Sequence, residues 1–131
     1  MEYLLSKGVD VNQQDLNDLY PLFMACYVGN LNILKYLLEH GANPRLKGPK
    51  SSTAIHSAAD RDFPELCRAI IEKDPEVMYD QDIDGNTPMH AAALWSHVKC
   101  MEIMFEFGGE RLVNIKNNDG ENSVDFAYGE N

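Results

Sequence analysis

The sequence predicts an all-α solenoid of stacked units of about 33 residues, and two independent spacings predict it. Tyr20-Pro21-Leu22-Phe23-Met24-Ala25-Cys26 aligns with Thr53-Ala54-Ile55-His56-Ser57-Ala58-Ala59 and with Thr87-Pro88-Met89-His90-Ala91-Ala92-Ala93. Asn122-Ser123-Val124-Asp125-Phe126-Ala127 is a weaker copy. The second positions, 21, 54, 88 and 123, lie 33, 34 and 35 apart, and Lys7-Gly8-Val9 repeats as His40-Gly41-Ala42 at a distance of 33. A fixed period of this length marks an array whose units bury their apolar faces against their neighbours.

Each unit opens with Thr or a similar N-cap and, in two of the three full copies, Pro in the first turn, where the fixed φ suits a helix and the missing N–H costs nothing. Small residues (Ala25, Cys26, Ala58, Ala59, Ala92, Ala93) then line a short first helix where the next must approach closely. Gly29 ends that helix in the first full unit. A second helix follows with apolar residues three and four apart: Leu31, Leu34, Leu37 and Leu38, then Leu66, Cys67, Ile70 and Ile71, then Cys100, Ile103, Met104 and Phe105. Gly41, and by position Gly8 and Gly108, are the expected left-handed stops. Polar stretches such as Asp82-Ile83-Asp84-Gly85-Asn86 lead to the next N-cap and can fold as projecting hairpins. Three full units are expected over 13–45, 46–79 and 80–114, flanked by partial ones over 1–12 and 115–131. Both partial units cut through a helix, as in a piece of a longer array.

Composition narrows the function. With 11 Lys and Arg against 21 Asp and Glu, the net charge is −10, which argues against a nucleic-acid or anionic-membrane surface. The acidity is concentrated in residues 79–131, with 3 basic and 10 acidic side chains, so a partner drawn by long-range attraction should approach that end. No run approaches a membrane span, and the first residues lack a secretory signal. Three cysteines without short spacing argue against a disulfide framework or zinc site. The expectation is a soluble intracellular protein of the cytoplasm or nucleus.

These motifs resemble the ankyrin repeat over almost the whole chain. Asp82 to Gly109 contains Asp-x-x-Gly-x-Thr-Pro-Met-His-x-Ala-Ala, and Leu31-Asn32-Ile33-Leu34-Lys35-Tyr36-Leu37-Leu38-Glu39-His40-Gly41-Ala42 is equally close to the family pattern. The unit 46–79 departs most: Ala54 stands for Pro, Ser51 for the usual Gly and Asp62 for the helix-ending Gly, so its finger geometry is expected to differ. The resemblance implies that His56 and His90 hydrogen-bond backbone at the base of the fingers. It also implies a ligand on the concave face of finger tips and exposed first-helix positions. Carried over, that map gives Leu16, Asn17, Leu19, Tyr27 and Val28, then Pro49, Lys50, Ser52, Asp60 and Arg61, then Ile83, Asp84, Asn86, Leu94 and Trp95. Tyr20, in the N-cap place, would extend the aromatic run. Tyr and Trp are the types most enriched in binding hot spots, which makes Tyr27, Leu94 and Trp95 the expected anchors.

Other chemistry finds little support. Asp80-Gln81-Asp82-Ile83-Asp84-Gly85 begins like a calcium loop, but the ninth position is Pro88 and the twelfth, where Glu should chelate, is Ala91. Cys26, Cys67 and Cys100 fall in apolar or small-residue slots, as core hydrophobes do. No phosphate loop, zinc-protease helix or nucleophile elbow occurs. No catalytic residue, metal or cofactor is expected. Arg45, Lys47, Lys50 and Arg61 form one basic cluster, read either as a solvated loop or as a socket for a carboxylate or phosphate on a peptide. The function expected is binding of a protein or peptide partner. The alternative is a structural or regulatory segment docking on its own longer chain, an enzyme or channel.

Overall fold

In the computed structural model, which describes residues 10–129, the chain forms α1 (Pro21–Val28), α2 (Leu31–Glu39), α3 (Ala54–Asp60), α4 (Pro64–Lys73), α5 (Pro88–Leu94), α6 (Val98–Val113) and α7 (Ser123–Gly129). Helices α1, α3, α5 and α7 pack side by side as one layer, and α2, α4 and α6 as the other. The principal helix contacts lie within a unit or between adjacent units, which is the stacking that the repeat predicts. Met1–Gly8, with its expected helix and stop, lies outside the described residues.

The two layers bury what the spacing puts inward. Ala25, Cys26, Ala58, Ala59, Ala92 and Ala93 are buried along the first helices, where any larger side chain would hold the layers apart. Leu34, Leu37 and Leu38, then Leu66, Cys67, Ile70 and Ile71, then Cys100, Ile103 and Met104 fill the second layer. Phe105, expected inward, is 51% exposed on α6, which has no following second-layer helix against it among the described residues. Asn30 caps α2, its Oδ1 accepting from the Ile33 amide at 3.0 Å.

Two differences concern the ends of second helices. Gly108 is not the left-handed stop: the residue that leaves helical space is Gly109, at φ 57, after which another turn runs to Val113. That turn buries Leu112 so closely that a Cβ on Gly108 would stand 2.9 Å from it. In the preceding unit a 3₁₀ turn over Pro75–Tyr79 buries Val77 and Met78 in the same way. The fingers are turns, with no strand among the described residues; Asp82 donates to the Asn86 carbonyl at 2.9 Å and Gly85 to that of Asp82 at 2.9 Å.

Left-handed backbone recurs with the period. After the first helices it falls on Gly29 (φ 81), Asp62 (φ 65) and Ser96 (φ 57); in the fingers it falls on Asp18, Ser51, Gly85 and Gly120. The bend is therefore a property of the unit, not of glycine, and Asp62 and Ser96 hold it under strain. In the unit 46–79 the finger differs, as expected, with Lys50 and Ser51 both left-handed within the 3₁₀ turn Pro49–Ser51.

Histidines join the units. The His56 Nδ1 accepts from the Thr53 amide at 3.1 Å and its Nε2–H donates to the Asn86 carbonyl of the next unit at 2.8 Å. His90 repeats this with Thr87 at 3.1 Å and Glu121 at 2.9 Å. An acceptor on one nitrogen and a donor on the other is the neutral imidazole. The first full unit has Phe23 in the histidine's place. There Tyr20, 2% exposed, sends its Oη to the Leu46 carbonyl at 2.5 Å, and its ring meets Phe23 edge-on with centroids 5.8 Å apart. Tyr20 is thus core, not part of an exposed aromatic run.

Ser96→Gly should relieve left-handed strain and raise the melting temperature by about 2–4 °C. Gly29→Ala should cost about 2 kcal/mol, since the backbone there is left-handed and the new Cβ would lie 2.7 Å from the Phe63 ring. Burial pushes the pKa of both His56 and His90 below the ordinary value. With the folded value depressed, stability is full above the unfolded pKa of about 6.5 and lost as pH falls below it. Thermal melts from about pH 7.5 to 5.5 should show that decline, and His90→Gln should melt lower at neutral pH but lose less on acidification. A melting temperature flat over this range would contradict the neutral bridges.

Candidate functional site

One side of the stack is built from finger tips and the outward faces of α1 and α3. Backbone bonds tie successive fingers: Ile83 donates to the Lys50 carbonyl at 2.9 Å, and Asn118 to the Asp84 carbonyl at 2.9 Å. Gly85 is required here, because an added Cβ would stand 2.7 Å from the Asn118 nitrogen. Between fingers and helices lies an open groove of about 740 Å³, lined by Leu19, Phe23, Met24 and Tyr27 from one unit and by Pro49, Lys50, His56, Asp60 and Arg61 from the next.

Of the residues singled out from sequence, Leu19, Tyr27, Pro49, Lys50, Ser52, Asp60 and Arg61 come together in this groove. Tyr27 is 48% exposed with the Arg61 guanidinium 4.1 Å above its ring centroid. Trp95 is 59% exposed and its Nε1 donates to Asp60 Oδ1 at 2.7 Å. Each ring is therefore presented to solvent while its edge or face is held by the adjacent unit. Leu16 is fully exposed and Asn17 exposed on the first finger, and Ile83 is exposed on its own. Leu94 is half-buried. Asn86 is occupied on its carbonyl by His56 and on its side-chain oxygen by Asn117. Val28 faces a neighbouring depression with Gln13, Asp15 and Ile33 rather than the groove. Sequence reasoning missed Phe23 and Met24. Met24 stands three residues before Tyr27, on the same side of α1, so helical spacing could have found it.

The basic cluster divides. Arg45 forks onto Asp80, with Nε at 2.9 Å, and Lys47 Nζ donates to the Gln81 carbonyl at 3.0 Å, so both tie one finger to the next. Lys50 and Arg61 remain in the groove. The calcium-like loop is spent on itself. Asp82 Oδ1 accepts from the Asp84 and Asn86 amides, each at 2.9 Å, Asp80 is held by Arg45, and Pro88 and Ala91 lie in α5. The thiols of Cys26, Cys67 and Cys100 are buried. Burial pushes the Cys26 thiol up, and a hydrogen bond with Cys100, then burial, does the same to Cys67. That is the reverse of an activated nucleophile. A second, more apolar depression of about 610 Å³ lies on the last units, between Met89, Ala93, Met101, Phe105, Val113 and Val124.

Comparison with known proteins agrees with this architecture. A model of three ankyrin repeats matches residues 1–81, and a single ankyrin-repeat model matches residues 84–118. Alpha-latrocrustotoxin-Lt1a of Latrodectus tredecimguttatus is 27% identical over 97% of this chain and 9% of its own length. The human transient receptor potential cation channel subfamily A member 1 is 31% identical over 84% of this chain and 10% of its own length. Phosphocholine transferase AnkX of Legionella pneumophila is 29% identical over 94% of this chain and 13% of its own length. This chain thus spans about a tenth of each of these relatives. With repeat models covering nearly all of it and bridged helix pairs at the same period, the chain belongs to the ankyrin-repeat family.

Proposed function

We propose that this chain is a non-catalytic module that binds another protein or a peptide on its concave face. Ankyrin repeats are generally protein–protein interaction modules, and the matched models leave little of this chain outside repeats. The observation that carries the reading is the pair of exposed rings, Tyr27 and Trp95, each fixed by the neighbouring unit through Arg61 and Asp60. Large rigid side chains held in place before the partner arrives lose little entropy on binding. Around them we place Leu16, Asn17, Leu19, Val28, Lys50, Arg61, Ile83, Asn86 and Leu94, and we omit Tyr20, which is core. The net charge of −10 turns the surface away from nucleic acid, and no helix among the described residues is long and apolar enough to cross a membrane. Three buried free thiols suit a reducing compartment, the cytoplasm or nucleus.

A second reading, a structural or regulatory segment docking on a longer chain of its own, draws on the relatives, each about ten times this length, and on the apolar depression beside Phe105 and Val124.

Tyr27→Ala combined with Trp95→Ala should weaken partner binding by about 2 kcal/mol or more, measured on partners recovered by affinity purification. Thermal melts of the same variant should stay close to those of the parent. A large loss of stability with unchanged binding would show that both rings serve the stack alone.

A further inference from the structure

The concave groove holds acids and bases in different states. Asp60 is engaged by the Trp95 indole N–H at 2.7 Å, and Asp82 accepts two backbone amides of its own finger. Each carboxylate takes neutral N–H donors on one oxygen, which fix its direction. The two cations are not so matched. Arg45, Arg68 and Arg111 each have a carboxylate within ion-pair distance, whereas neither Lys50 nor Arg61 has one among the described residues. Lys50 projects from a left-handed finger position, φ 57, whose carbonyl is pinned by the Ile83 amide. Arg61 lies over the Tyr27 ring at 4.1 Å, and a guanidinium placed on an aromatic face still has its N–H groups for partners at its edge. Such a fork, oriented in advance, matches the two oxygens of a carboxylate. The same groove is lined by Leu19, Phe23 and Met24 of the preceding unit, which suits a large apolar side chain.

Resting on the concave-face reading above, we infer that the groove takes an extended peptide with an Asp or Glu beside a large apolar residue. Its carboxylate is received by Arg61 and Lys50 and its apolar side chain by the Leu19–Phe23–Met24 wall. The chain's net charge is −10, concentrated in residues 79–131, so this recognition is local: it depends on contact within the groove and not on long-range attraction.

The test is a displayed library of random peptides selected on the full chain, with circular dichroism confirming that each variant folds. The expected result is enrichment of Asp or Glu next to an aromatic or aliphatic residue. A synthetic copy of an enriched peptide should bind Lys50→Glu and Arg61→Glu at least tenfold more weakly, and so should its own Asp→Asn or Glu→Gln form on the parent chain. Selection on the doubly reversed variant should then favour Lys and Arg. Peptides that need Tyr27 but are indifferent to charge reversal would overturn this inference and leave the groove reading standing. A library with no Tyr27- or Trp95-dependent binder would overturn both. Tenfold tighter binding by a phosphoserine form of the enriched peptide would assign the socket to phosphate instead of carboxylate.

Discussion

The stack depends on hydrogen bonds that reach across one period. A neutral imidazole accepts from the amide that opens its own helix and donates to the carbonyl just before the next helix begins. His56 and His90 do this in successive units. The ring thereby satisfies an orphan amide at a helix start and fixes how far one finger stands from the next. Both nitrogens must keep opposite roles, so the residue works only while uncharged, and its burial keeps it so. The first full unit reaches the same end by different chemistry: Tyr20 spans to the Leu46 carbonyl, and Phe23 fills the space the imidazole would occupy. Gly48 makes room for that pair, since a Cβ there would lie 3.1 Å from the Phe23 ring.

The period was legible because stacking imposes it on small residues and caps together, and either set alone reveals it. Positions defined by repetition, such as the buried alanines or the turn at Gly29, were therefore legible, and the exceptions, Phe105 and Gly108, fall in the last full unit. What could not be read was substitution of one bridge by another. Tyr20 occupies a cap position, and an aromatic at a cap looks exposed until the carbonyl it reaches is known, 26 residues away. Gly108 and Gly109 show a related limit: two adjacent glycines are equally able to leave helical space, and only the burial of Leu112 decides between them. In the groove, the exposed members Tyr27, Lys50 and Arg61 followed from the frame, whereas the commitment of Arg45 to Asp80 depends on which finger faces which.

The backbone repeats while the side chains on the groove do not. Tyr27, Asp60 and Leu94 are equivalent places, as are Val28, Arg61 and Trp95, and no residue type recurs within either row. The contacts run diagonally, from Tyr27 to Arg61 and from Asp60 to Trp95, so each exposed ring is fixed by a residue of the adjacent unit. Recognition and stacking therefore share parts. A shift of the unit 46–79 against both neighbours would release both rings at once, and the bridges from His56 and Tyr20 that resist such a shift also hold the groove in its shape. In a fold with neighbour-only contacts, stability is a sum of local interfaces. The interface between the units of α1 and α3 carries the groove, so it is there that a loss of stacking would be felt first as a loss of binding.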